Sequence, residues 1–205
     1  MSSTALVPGD GASLEEVRSL AAGCTACELH LIATRTVFGE GPVDASVMLV
    51  GEQPGDEEDR TGHPFVGPAG RVLDDALERA GVDRAAVYIT NAVKHFRNEP
   101  RGKKRIHRKP GLTHIRACEP WLASEIALVR PDLIVAMGAT AVRALLAREV
   151  KVTADRGRVF ERPDGSPTLV TVHPSSILRS RDDVDRAAQM DAFVGDLRRI
   201  HDAVG

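Results

Sequence analysis

Residues 47–80 read VMLVGEQPGDEEDRTGHPFVGPAGRVLDDALERA, and this stretch decides the fold. Val47–Val50 is an unbroken apolar run of strand length, which fits a strand buried on both faces. A glycine-bearing loop follows at once. From Gly70 to Ala80 the apolar residues Val72, Leu73, Ala76, Leu77 and Ala80 fall on one helical face. Strand, loop and helix make one βα unit. Working outward, the same alternation continues. Val87–Thr90 reads as a second strand, and Ile115–Val129 as a helix with Ile115, Cys118, Leu122 and Ile126 on one stripe. Leu133–Met137 is a third strand, Ala139–Ala147 a short helix, Thr168–Val172 a fourth strand and Val184–Val204 a closing helix. Upstream, Leu14, Val17, Leu20 and Ala21 space a short first helix. This pattern predicts an α/β fold, three layers with a central, mostly parallel four-stranded sheet. The chain of 205 residues suits one core, so residues 13–205 are expected to form a single domain behind a disordered tail at 1–12.

Composition is that of an ordered globular protein, 42% hydrophobic and 27% charged. The net charge of −2 gives no hint of a nucleic-acid partner. The mean hides a local excess. Arg97, Arg101, Lys103, Lys104, Arg105, Arg108 and Lys109 face a single acid, Glu99. Such a run is a solvated loop or a phosphate-binding strip. No apolar run approaches the ~18 residues of a membrane-spanning helix. The N-terminus lacks a basic region and a hydrophobic core, so no secretory signal is expected. Three cysteines make a poor disulfide framework, and a reducing cytoplasm fits them better.

In parallel sheets ligands gather beyond the carboxyl ends of the strands. Three loops lie there: Gly51–Gly70, Asn91–Pro110 and His173–Ser176. In the first, Glu52 sits one residue past a buried strand, where a carboxylate faces a pocket. Phe65 lies among prolines and glycines, as a rigid platform or a core plug. The loop is not a phosphate P-loop, because its Gly-x-x-x-x-Gly-Lys order is absent. Asn91 at a strand end offers a donor and an acceptor, suited to a pyrimidine edge or to a turn. His173 ends the fourth strand before a proline-fixed turn. Cys24-x-x-Cys27 needs partners, and Cys118 is the only other thiol. A fourth ligand must come from elsewhere, with His30 and His95 both open, and zinc and iron both admissible.

Four ordered motifs now stand together: Gly51-Glu52-Gln53-Pro54-Gly55, Gly62-x-Pro64-Phe65-Val66-Gly67-x-Ala69-Gly70, Thr90-Asn91-Ala92-Val93-Lys94 and His173-Pro174-Ser175. They resemble those of the uracil-DNA glycosylase superfamily, family four, over nearly the whole chain. Two features depart from family four. His95 stands where that family has a cysteine, and the following loop is longer, basic and ends Lys104-Arg105-Ile106-His107. With Gln53, these departures resemble the UdgX subgroup, which excises uracil and stays bonded to the abasic sugar.

The resemblance implies a DNA-repair glycosylase of uracil-DNA glycosylase fold, acting on uracil-containing DNA, single-stranded or also duplex. Phe65 would stack on the base and Asn91 would pair with its polar edge. His173, with backbone N–H groups near Gln53, would stabilise charge developing on a uracil oxygen. Glu52 would stabilise the cationic sugar, and His107 would replace water as nucleophile. Lys103, Lys104 and Arg105 would contact phosphates. Arg105, Arg108 and Lys109 would also disfavour protonation of His107, with Ile106 packing inward to orient the ring. Cys24, Cys27, His95 and Cys118 would bind a 4Fe–4S cluster with a structural role. The chain is expected to act as a monomer, without a membrane, in the cytoplasm. Three rivals remain: a conventional multiple-turnover glycosylase, a DNA-binding protein that senses uracil or abasic sites without chemistry, and a zinc-bound interaction module. Asp56 and Asp59 are left open between supporting the active-site loop and merely solvating it.

Overall fold

A computed structural model describes residues 11–102, 104–146 and 148–204. In chain order the elements are α1 (Leu14–Ala22), β1 (Val47–Gly51), α2 (Asp56–Thr61), α3 (Pro68–Ala80), β2 (Tyr88–Asn91), β3 (Asn98–Arg101), β4 (Lys104–His107), α4 (Leu112–Val129), β5 (Leu133–Met137), α5 (Ala139–Leu145), α6 (Val152–Asp155), β6 (Val159–Glu161), β7 (Pro167–Thr171), α7 (Pro174–Ile177) and α8 (Asp183–Val204). The tail expected at 1–12 lies, but for its last two residues, outside the described residues.

The main sheet runs β2-β1-β5-β7-β6. Neighbours among β2, β1, β5 and β7 are parallel, and these are the four strands read from sequence. The expected four-stranded sheet is corrected to five, because β6 adds an antiparallel edge against β7. Val159-Phe160-Glu161 is too short to show a period, and its first and last residues are exposed. It is held by pairing with β7 rather than by its own pattern.

The buried strands serve two cores with alternate residues. Val47, Leu49, Ile89, Val135 and Leu169 face α3 and α8, meeting Leu73, Leu77, Phe193 and Leu197. Met48, Val50, Ile134, Ala136 and Val170 face α4 and α5, meeting Leu122, Val129, Val142 and Leu145. A strand covered on both sides has no polar face, hence the continuous apolar runs.

The basic segment after Asn91 is not the open loop the sequence implied. It is an antiparallel ribbon, β3 with β4, pairing Asn98 with His107 and Arg101 with Lys104. Lys103, in the connection between the two strands, lies outside the described residues.

Candidate active site

The parallel strands end on one side, and the polar residues that follow them converge there. Gly51 at the end of β1 lies in register with Asn91 at the end of β2. Glu52 comes next in the chain, and His173 stands two residues past the end of β7. A cavity of ≈ 550 Å³ opens above them, lined by Glu52, Gln53, Phe65, Asn91, His107 and His173 among others. Residues chosen from four separate motifs therefore share one pocket, of a size that suits a small organic ligand.

Phe65 has φ 57, a left-handed conformation that a bulky residue rarely adopts. Such strain is held only where the surroundings over-determine it. Here Glu58 supplies that hold, since its carboxylate accepts from the Gly55 N–H at 3.0 Å and the Gly67 N–H at 2.9 Å. Phe65 is thereby fixed as one wall, 6.0 Å from the His173 ring and tilted 32° to it. Gly51 makes the pocket possible. A Cβ there would stand 2.4 Å from Phe65 Cζ and 2.5 Å from Asn91 Oδ1. Asn91 is buried, and its Oδ1 has no hydrogen-bond partner among the described residues. A buried acceptor left open costs stability unless a ligand donates to it.

His173 presents the complementary group. Its Nδ1 accepts the backbone N–H of Ser175 at 3.2 Å and lies 2.9 Å from Ser175 Oγ. An accepting Nδ1 carries no proton, so the neutral ring bears its hydrogen on Nε2. That Nε2 is buried without a partner among the described residues. Burial lowers the pKa of His173 to about 4, with His107 and Arg179 adding to the effect. The ring is therefore a neutral N–H donor at physiological pH.

Across the cavity Glu52 Oε1 lies 3.4 Å from His107 Nε2. The His107 side chain is half exposed. Its pKa is lowered chiefly by desolvation, with Glu52 opposing and Arg179 assisting. Burial is what chiefly disfavours the charged ring, and the cation that adds to it is Arg179, which the sequence reading missed in favour of Arg105, Arg108 and Lys109. Ile106, expected to pack inward, is partly buried, and the ring's aromatic neighbour is the buried Phe96, at 6.0 Å between ring centroids.

Three clamps hold the ribbon over the cavity. The Gln53 side chain donates to Arg97 O and Arg108 O and accepts from the Arg97 N–H, so it grips both ends of the ribbon. Gln53 was expected near a uracil oxygen through neighbouring backbone groups, and its amide serves the ribbon instead. Arg97 adds a bond from its guanidinium to Lys109 O at 2.6 Å. Arg105 was expected on phosphate, but its guanidinium is held by Asp56 and Asp59, each at 2.5 Å. Asp59 is fully buried and also accepts from the Thr34 N–H. Asp59 therefore supports the loop, because a buried carboxylate needs these partners, while Asp56 bonds Arg105 and Arg60 from a partly exposed position. Arg108 pairs with Glu99, while among the described residues Lys104 on β4 and Lys109 just after it are exposed.

The expected cluster ligands lie at another end of the same segment. Cys24 and Cys118 are buried, and Cys27 is partly so. Cys118 Sγ accepts from the Lys94 N–H at 3.4 Å, and Cys24 Sγ from Trp121 Nε1 at 3.2 Å. The thiol of Cys118 is pushed up to about 12 by burial, and nearby Cys27 and Cys24 add to that rise. His95 is buried, with Nε2 3.0 Å from Thr36 Oγ1 and Nδ1 without a partner among the described residues. One nitrogen oriented and the other open is the arrangement of a ligating histidine. In His30 Nδ1 likewise lies 2.7 Å from Cys27 O, so one of its ring nitrogens is oriented too. Among the described residues no group of three or more His, Cys, Asp or Glu is drawn together as for a metal ion. The donor set of two buried sulfurs, each with an N–H group aimed at it, and a third partly buried one fits an iron–sulfur cluster better than one tightly held ion.

Residues 38–198 match the family model described as Uracil DNA glycosylase superfamily. The chain is 42% identical to a Type-4 uracil-DNA glycosylase of Thermotoga maritima, over 77% of this chain and 79% of that protein. It is 35% identical to a Type-4 uracil-DNA glycosylase of Pyrobaculum aerophilum, over 81% of this chain and 85% of that one. It is also 34% identical to a Type-5 uracil-DNA glycosylase of Pyrobaculum aerophilum, over 67% and 64% respectively.

Proposed function

The chain belongs to the uracil-DNA glycosylase superfamily, and from that premise we propose that it excises uracil from DNA and that His107 then captures the exposed sugar. The observation that carries the second step is the pair Glu52 and His107, 3.4 Å apart on the cavity wall.

The reaction breaks the bond between C1′ and uracil N1, and the electron pair leaves with the base. Negative charge collects on the uracil oxygens and positive charge on the sugar. Phe65 stacks on the extruded base. The open Oδ1 of Asn91 accepts the uracil N3–H, and Nε2–H of His173 donates to the developing oxyanion. A neutral donor suits this task, because its proton stays in place through the step. Glu52 stabilises the cationic sugar from the other side. The lone pair of His107 Nε2 then forms a C1′–N bond, and the ring gives up its Nδ1 proton to water. A ring held at the site replaces a bimolecular encounter.

Cys24, Cys27, His95 and Cys118 would hold the 4Fe–4S cluster, which when bound supplies a structural tie. Those residues join the N-terminal segment, the chain after Asn91 and α4. Lys104 would meet DNA phosphates with the neighbouring Lys103. Arg105 contributes by holding the ribbon.

A second reading has direct support in the identity to Type-4 relatives. Glu52 would then position water, whose oxygen adds to C1′ as its proton departs, and turnover would continue. Denaturing electrophoresis with a uracil-containing oligonucleotide separates the two. Capture by His107 gives a slow-migrating band, stable to heat and detergent, in proportion to enzyme. His107→Ser should remove that band yet still release uracil, because water enters the vacated space. Uracil released in many equivalents per enzyme without the band would establish the conventional reading.

A further inference from the structure

The reaction so far gives no part to a buried hydroxyl that is bonded to Glu52. Thr140 is 2% exposed and lies on the first turn of α5. Its Oγ1 donates to Glu52 Oε2 at 2.5 Å, a contact between residues 88 positions apart in the chain. The connection from β5 to α5 explains the approach. Gly138 has φ +89, and a Cβ added there would stand 2.9 Å from His173 Cβ. Its N–H also donates to Thr171 O at 2.9 Å. The turn is thus pressed against the His173 segment, which delivers Thr140 beneath Glu52.

A carboxylate on a single-bonded stem rotates freely, and its terminal torsion has only a broad preference. Fixing one oxygen fixes the other. With Oε2 held by Thr140, Oε1 projects toward His107, 3.4 Å from Nε2. Stabilisation of a developing charge depends on groups aimed before the reaction begins. We propose that Thr140 is a positioning residue for Glu52, holding one carboxylate oxygen so that the other faces the reacting sugar carbon. This inference rests on the glycosylase reading above.

The test measures uracil release under enzyme excess, with the full chain and a uracil-containing single strand. Thr140→Val keeps the shape and removes the hydroxyl. It should slow release by about 10–100-fold, the scale on which small misplacements act, and leave oligonucleotide affinity within about twofold. Thr140→Ser retains the hydroxyl and should stay within about threefold of wild type. In a Glu52→Gln background, Thr140→Val should add less than about a further twofold loss, since residues acting through one group are not additive. Melting curves of each variant accompany the rates.

An equal fold-loss in both backgrounds shows that Thr140 acts through the fold, which overturns the proposal. So does Thr140→Val at the wild-type rate, or Thr140→Ser as slow as Thr140→Val in a folded protein. No uracil release from the wild type would overturn the glycosylase reading itself, and the proposal with it. Normal wild-type release with an indifferent Thr140→Val removes the proposal alone.

Discussion

At position 107 two charges of opposite sign meet one imidazole. Glu52 favours the protonated ring and Arg179 disfavours it, while desolvation, the largest cause, also disfavours it. The balance lies below the ordinary imidazole value of about 6.5. In the proposed capture only the neutral ring is a nucleophile, so capture should fail as pH falls through the lowered pKa rather than through the ordinary one. The expected initial rate of adduct formation has its acid midpoint below pH 6.5. Arg179→Gln, which removes an opposing positive charge, should move that midpoint upward. A midpoint above about 6.5 in the wild type, or one indifferent to Arg179, would sink the assignment. His107 was singled out in the sequence by the resemblance that the Arg105-Ile106-His107 segment carries. Arg179 was not, because nothing near it in the chain announces a partner.

At the scale of elements, the β3–β4 ribbon decides whether that imidazole reaches the pocket. Its strands lack alternation, and Asn98-Glu99-Pro100-Arg101 has no apolar residue to bury. A two-stranded ribbon is marginal by itself. Gln53 at its base and Arg105 on its second strand therefore matter more than its own pairing. Arg105 also lies 5.4 Å from the centre of the Phe96 ring. Arg105→Ala would leave the fully buried Asp59 without its cation, and breaking a buried pair costs about 3 kcal/mol. The ribbon should then leave its docked position for much of the time. Adduct formation is expected to fall at least about tenfold, while uracil release, assigned in the proposed mechanism to Glu52, Asn91 and His173, should change far less. Parallel time courses of free uracil and of the heat-stable band measure this. Equal losses in both would mean that the ribbon serves excision and not capture alone.

Across the whole molecule, the pocket depends on a buried ionic network behind it. Lys94 and Glu125 pair with no exposure of either side chain. Lys94 Nζ also donates to Thr90 Oγ1 at 2.7 Å and to Asn91 O at 2.8 Å. Glu125 accepts from the Gly39 N–H, Tyr88 Oη and Thr90 Oγ1. One network thus binds β2, α4 and the segment before β1. Glu125→Ala strands an ammonium in a dry interior, at about 3–5 kcal/mol. For a chain of this size that is a fall in melting temperature of roughly 10 °C. Lys94→Met with Glu125→Leu should cost less than the single change, because no unpaired charge remains. Thermal melts of both variants decide the point, and a double variant worse than Glu125→Ala would show that the pair itself stabilises.

The sequence determined the four parallel strands, the helices between them and the side of the sheet on which the loops bearing Glu52, Phe65, Asn91 and His173 lie. These follow from local information, since apolar period declares burial and a strand's end declares which side a loop occupies, whereas the grouping of the four residues into one site came from the family resemblance. Tertiary structure alone decided the fifth strand, the ribbon, the Arg105 contacts with Asp56 and Asp59, the tautomer of His173 and the place of Thr140. Each is a polar or edge contact whose partner lies far along the chain, as with Arg105 and Asp56, 49 residues apart. Periodicity reports that a residue is buried. It does not report which distant donor satisfies it, and for a charged or hydroxyl group in a dry site that partner fixes the role.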